Sequence, residues 1–112
     1  SPNHSYEVHY EPRDYTKTKK YYVYVGIPVE SMATIPLDFV LKPFPKVKYM
    51  LIHAKVKEHQ QTESFIRKFL ENPLKDYIQA YPYIMQRYHK DTYKGLSDPK
   101  SEIEWLIPVR EK

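Results

Sequence analysis

The stretch TESFIRKFLENPLKDYI, residues 62–78, is where the spacing of apolar residues changes from the period of a strand to that of a helix. Its apolar side chains are Phe65, Ile66, Phe69, Leu70, Leu74, Tyr77 and Ile78. This spacing places them on one face of an amphipathic helix. Pro73 interrupts the pattern without shifting its phase, which favours one bent helix, ended by Pro82, over two helical pieces.

Outside this helix, apolar and polar residues alternate as they do in half-buried strands. Four strands are predicted before the helix and two after it, at residues 5–12, 20–29, 39–45, 48–56, 83–90 and 101–109. The run 48–56 is the most continuously apolar, so we expect it to be a central strand, whereas two prolines confine 39–45 to an edge. The order predicts an α+β fold, an antiparallel sheet with one long helix covering one face.

Composition limits the functions that the chain can carry. The 112 residues suffice for one domain, and they include no apolar run of about 18 residues that could span a membrane. The absence of cysteine excludes disulfides and fits a reducing cytoplasm. The net charge of +4 is spread along the chain, apart from the short run Lys17–Lys20, and no nucleic-acid motif is present. We therefore expect a cytoplasmic domain that does not enter membranes.

Aromatic residues supply the candidate binding surface. The chain has twelve tyrosines, whose apolar rings and polar hydroxyls suit ligand pockets as well as cores. The aromatic pocket candidates are Tyr6, Tyr10, Tyr22, Tyr24, Tyr88 and Trp105. The alternative is that these rings only fill the space between sheet and helix. The five histidines lack the spacing of a zinc site, so we expect neither a metal nor another cofactor.

Polar residues within the last two strands extend this set. Gln86 shares a strand face with Ile84 and Tyr88, so its amide points either to solvent or into a pocket. Glu102 and Glu104 share the face of the final strand that is opposite to Trp105. These two carboxylates either face water or supply a pocket acid.

Five stretches in order resemble the gyrase-inhibitor-like effector-binding domain, which occurs alone and as the ligand sensor of multidrug-responsive transcription regulators. They are YYVYVGIPV (21–29), FVLKPFPKVKYMLIHAKV (39–56), FIRKFLENPLKDYIQAYPY (65–83), MQRYHK (85–90) and EIEWLIPVREK (102–112). MQRYHK lies where the family usually has ERYD. The resemblance covers roughly residues 5–112.

The resemblance implies an architecture of two βαββ (SHS2-like) repeats. Residues 46–112 would form a complete second repeat, and residues 1–30 a remnant of the first, whose opening strand and helix do not occur in this sequence. Residues 1–112 would then form one effector-binding domain. An uncovered first sheet would expose aromatic surface, so we expect a partner element there, with a homodimer as one possibility.

The resemblance also implies a function, the binding of small lipophilic or aromatic molecules. In the family the acid that matches Gln86 pairs with cationic ligands. An amide keeps the hydrogen bonding and drops the charge, which predicts a preference for neutral aromatic ligands unless Glu102 or Glu104 replaces that acid. The predicted ligand-binding residues are Tyr6, Tyr10, Tyr22, Tyr24, Gln86, Tyr88, Glu104 and Trp105.

Two other functions stay open at this point. The chain could be a hydrolase of hydrophobic electrophiles, with Glu11, Glu102 or Glu104 as the base, because an amide at position 86 does not titrate. It could also be a protein-interaction module of the gyrase-inhibitor type, using a strand edge and Lys17–Lys20. DNA would be reached only through a separate domain.

Overall fold

The computed structural model describes residues 4–12, 15–28, 43–72 and 76–112. The elements are β1 (His4–Tyr10), α1 (Tyr15–Thr18), β2 (Tyr22–Gly26), β3 (Lys48–Lys55), α2 (His59–Glu71), β4 (Tyr77–Gln79), β5 (Tyr83–His89) and β6 (Glu102–Glu111). The strands form one antiparallel sheet in the order β2-β1-β5-β6-β3, with β4 paired to β6. The predicted α+β class is confirmed, and α2 is the longer of the two helices in these ranges.

Strand β6 organises the sheet. One of its edges pairs with β3 over the whole length of that strand, and the other edge pairs with β5 and then β4. Its alternate side chains Ile103, Trp105, Ile107 and Val109 are buried in one cluster with residues of α2. We call the face of the sheet that carries α2 the helix side, and the opposite face the open side.

Helix α2 is shorter than the sequence predicts. It follows a 3-10 turn at Val56–Glu58 and buries Ile66 and Phe69 against the sheet. The predicted continuation towards Pro82 is wrong, because Tyr77–Gln79 is strand β4. The helix ends just before Pro73, whose ring disfavours helical geometry at the preceding residue. The free edge of β6 then offers backbone partners that Tyr77–Gln79 takes instead.

Other predicted elements also differ in detail. Strand β3 was expected at the centre of the sheet, but among the described residues β6 is its strand neighbour, and β3 lies at one end. Of the predicted strand 39–45, residues 39–42 lie outside the described residues, and residues 43–45 have no regular structure. None of the helices in the described ranges is long and apolar enough to cross a membrane.

The open side has its own apolar cluster. Val8, Tyr83 and Met85 are buried there, and the partly buried residues around them are Tyr6, Tyr10, Tyr24, Phe44, Tyr49 and Leu106. The Tyr83 and Tyr49 hydroxyls lie 2.6 Å apart, and burial raises the pKa of the Tyr83 phenol. Tyrosines therefore form a partly buried layer on the face that α2 leaves uncovered.

The helix-side cluster predicts a large stability cost for Ile107→Ala. Ile107 is 0 % exposed, so we expect the truncation to lower the free energy of unfolding by about 2–5 kcal/mol through lost burial and a residual cavity. Leu51→Ala, at a side chain 52 % exposed, is the control and should cost less than about 1 kcal/mol. Urea unfolding measures both changes, and equal costs would contradict the assignment of the core.

Candidate functional site

The structure distributes the eight predicted site residues over both faces of the sheet. Strand register places Tyr6, Tyr10, Tyr22, Tyr24 and Glu104 on the open side. The other three, Gln86, Tyr88 and Trp105, lie on the helix side. Because the sheet separates the two sets, one small ligand cannot contact all eight residues.

Gln86 belongs to a small polar cluster on the helix side. Its side chain is buried, and its Oε1 lies 2.6 Å from the Tyr88 hydroxyl. The same hydroxyl donates to Glu7 Oε2 at 2.9 Å, and burial together with this carboxylate raises the pKa of Tyr88. The Tyr88 hydroxyl has one proton, which it donates to Glu7. With the Gln86 amide rotated by 180°, its NH₂ donates to the hydroxyl oxygen of Tyr88, and both contacts are satisfied.

The neighbourhood of Gln86 explains why this position carries an amide. Glu7 is its direct partner across the β1–β5 pair, on the same face. Side chains at such positions lie about 5 Å apart, where two carboxylates repel each other. Glutamine therefore supplies hydrogen bonding beside Glu7 without adding a second negative charge.

A shallow concavity of about 210 Å³ lies on the open side. Its lining residues are His53, Arg87, His89, Thr92, Glu102 and Glu104. Arg87 Nε donates to Glu104 Oε1 at 2.9 Å, and this contact raises the pKa of Arg87 and lowers that of Glu104. His53 Nε2 lies 3.5 Å from Glu102 Oε2.

The concavity adjoins the tyrosine layer. Tyr6 is the direct cross-strand neighbour of Arg87, on the same face of the sheet, and also packs into the open-side apolar cluster. Tyr10 and Tyr24 belong to the same layer, and the Tyr10 and Tyr22 ring centroids are 6.4 Å apart. A charged depression and an aromatic surface thus meet on one face of the sheet.

Sequence reasoning missed most of the residues that line this concavity. Arg87, His53, His89 and Thr92 were not predicted, whereas Glu104 was, and Glu102 was considered as a pocket acid. The alternation of β5 does place Arg87 on the face opposite to Gln86, which was a usable signal. Strand β3 and the loop after β5 lie close to β6 because of the order of the strands in the sheet. Alternation within one strand does not predict that order.

The same geometry bears on catalysis and on metals. The Arg87 guanidinium holds the pKa of Glu104 below its usual range, which makes this carboxylate a weaker base. Glu11, the third predicted base, is exposed and is not among the concavity's lining residues. Within the described residues, no group of three or more His, Asp or Glu side chains is arranged to hold a metal ion.

Comparisons of the chain with known protein families, with curated proteins and with solved structures found no match. The likeness to effector-binding domains therefore depends on the five quoted stretches and on their order.

The Gln86–Glu7 contact predicts that Gln86→Glu destabilises the fold. We expect the free energy of unfolding at neutral pH to fall by about 1–3 kcal/mol, because a buried carboxylate would face Glu7. Denaturant unfolding of the single variants and of Glu7→Gln/Gln86→Glu measures the coupling. The double variant should recover most of the loss, and no recovery would contradict repulsion as the cause.

The Arg87–Glu104 pair predicts a pH-dependent contribution to stability. Since the folded state lowers the pKa of Glu104, the stabilisation is present above the unfolded-state pKa and is lost as pH falls through the folded-state value. Glu104→Gln should therefore lower the free energy of unfolding by about 1 kcal/mol at pH 7 and leave it unchanged in acid. The control is Glu111→Gln, in a surface pair with Lys48 at 3.9 Å. If the free energy of unfolding depended on pH in the same way in wild type and in Glu104→Gln, the Arg87–Glu104 pair would not be the source of the pH dependence.

Proposed function

We propose that the protein binds small lipophilic aromatic molecules that carry a basic group, on the open side of the sheet. The observation that carries the proposal is the junction between the charged concavity and the tyrosine layer, where Tyr6 lies beside Arg87 across the β1–β5 pair. The basic group occupies the concavity, and the aromatic part lies over the tyrosines.

Charge favours a cationic group in the concavity. Its lining has two carboxylates, Glu102 and Glu104, and one guanidinium, Arg87, besides the His53 and His89 rings and Thr92. Arg87 is paired with Glu104, whereas the neighbour of Glu102 is the His53 ring at 3.5 Å, so Glu102 is the carboxylate that a ligand ammonium can approach. This replaces the expectation of neutral ligands, because that expectation came from Gln86, on the other side of the sheet.

Aromatic contact supports the lipophilic part of the ligand. A depression of about 210 Å³ is smaller than a typical ligand pocket, which is roughly 300–1,000 Å³, so it holds only part of a drug-sized molecule. Tyr6 adjoins Arg87 of the concavity, and Tyr24 and Tyr10 continue the partly buried layer of rings away from it on the same face. Tyrosine faces also attract cations, which adds to the preference for a basic ligand.

The resemblance suggests the biological role. The chain order is β3-α2-β4-β5-β6, with β6 paired to β3, β4 and β5, so the strands and helix of a βαββ repeat occur in sequence with the short strand β4 in addition. We therefore propose that the chain is a drug-sensing or sequestering domain, either the effector-binding part of a transcription regulator or a stand-alone relative. Hydrolysis ranks below binding, because Glu104 is paired with Arg87 and its pKa is lowered, and Glu102 is the carboxylate that we propose to hold the ligand's basic group.

A calorimetric titration with matched ligands and variants tests this proposal. A lipophilic aromatic amine should bind more tightly than its neutral analogue, and Glu102→Gln should weaken the amine about fivefold, the effect of losing one partly exposed charge contact. Glu7→Gln removes a carboxylate on the helix side and is the matched control, expected to leave binding unchanged.

Two results would contradict the proposal. Loss of amine binding in Glu7→Gln, with Glu102→Gln unaffected, would place the ligand on the helix side. Absence of heat at two well-separated temperatures, across a set of aromatic amines and their neutral analogues, would exclude small-molecule binding of this type.

A further inference from the structure

Three of the chain's five histidines lie around the concavity on the open side. His53 of β3 and His89 of β5 are among its lining residues. His4 of β1 is the direct cross-strand partner of His89, and their ring centroids are 4.7 Å apart. Histidine is the side chain whose charge ordinarily changes between about pH 5 and 8, so these rings make the charge around the concavity depend on pH.

His53 lies beside the carboxylate that the proposed ligand needs. Its Nε2 is 3.5 Å from Oε2 of Glu102, the residue to which we assign the ligand's basic group. The side chains of His53 and Glu102 are 57 % and 31 % exposed, so both protons and ligands reach this contact from solvent. One carboxylate thus has two cationic partners to choose between, a protonated ring and a ligand ammonium.

The two partners compete for Glu102. When the His53 ring takes up a proton, its contact with Glu102 becomes an ion pair, which satisfies the charge of the carboxylate. The imidazolium also repels a second cation next to it, because like charges at short distance disfavour each other. A protonated His53 therefore opposes binding of a basic group, and a bound basic group opposes protonation of His53.

Neighbouring charged groups on this face do not remove the competition. Glu104 is the cross-strand partner of His53, but Arg87 Nε donates to it at 2.9 Å, and this pairing holds the pKa of Glu104 below its usual range. Lys55, opposite Glu102 across the β3–β6 pair, adds a positive charge. Glu104 thus stays with Arg87 in mild acid, and Glu102 remains the carboxylate for which the two cations compete.

The His4–His89 pair adds a weaker effect of the same sign. His89 Nδ1 accepts a hydrogen bond from the Asp91 backbone N–H at 3.1 Å and lies 3.8 Å from Asp91 Oδ2. Two protonated rings 4.7 Å apart repel each other, so one of them gains a proton more easily than both. A proton on this pair brings a further positive charge to the concavity and also disfavours a ligand cation.

We propose that the concavity exchanges its basic ligand for a proton, with His53 as the group that takes up the proton. The ligand is held at neutral and alkaline pH, and it is released in mild acid when protonated His53 pairs with Glu102. The exchange rests on the proposed function, since it presupposes a ligand cation at Glu102.

Equilibrium dialysis with naphthylmethyl-trimethylammonium tests the exchange, because the charge of this probe does not depend on pH. Its affinity for the wild type should fall about fivefold between about pH 8 and pH 5.5, the effect of losing one partly exposed charge contact, as in Glu102→Gln. Naphthylmethanol is the neutral analogue, and it should bind with the same affinity at both pH values.

Two variants locate the effect. His53→Gln should lose most of the fivefold change, because position 53 can no longer take up the proton. His59→Gln is the matched control and should keep the full change, since His59 Nε2 lies 2.9 Å from Glu63 Oε1 in α2, a histidine–glutamate contact away from the concavity. Circular dichroism at both pH values checks that each variant is folded.

Proton release by the wild type tests the exchange without any variant. Calorimetric titration of the ammonium probe near pH 6.5, in two buffers of different ionisation enthalpy, should show that binding releases a fraction of about one proton per ligand. An affinity independent of pH, a full change retained in folded His53→Gln, or no proton release would each overturn the exchange and leave the proposed function standing. Failure of the ammonium probe to bind at either pH would overturn both.

Discussion

The burial of alternate β6 side chains beneath α2 is the constraint on which the rest of the structure depends. Ile103, Trp105 and Ile107 are almost fully removed from solvent on the helix side, so the residues between them must face the open side. Glu102 and Glu104 reach the open side for this reason. A slip of one residue in register would exchange the two sets and expose the core.

Neighbouring residues of one strand therefore give the two sides of the sheet different chemistry. Gln86 and Arg87 are adjacent in β5, yet Gln86 lies beside Glu7 on the helix side and Arg87 beside Glu104 on the open side. Each polar residue is matched to its cross-strand neighbour, an amide to a carboxylate and a guanidinium to a carboxylate. The charge pattern is thus a property of strand pairs rather than of single strands.

Much of this could be predicted from the sequence, within clear limits. Alternation gave the α+β class, the shared face of Gln86 and Tyr88, and the opposite placement of Glu104 and Trp105. It could not give the cross-strand partners, because alternation within one strand does not fix its register against another. The end of α2 was missed since Tyr77–Gln79 suits a helix face and a strand equally, and pairing with β6 decides between them.

The most direct test of the account is a side-chain NMR titration with a lipophilic aromatic amine. The account predicts shifts of the His53 and His89 ring signals, on the open side, with the Trp105 indole and the Gln86 amide unchanged on the helix side. Shifts confined to Trp105 and Gln86 would contradict it, because the ligand would then lie between the sheet and α2.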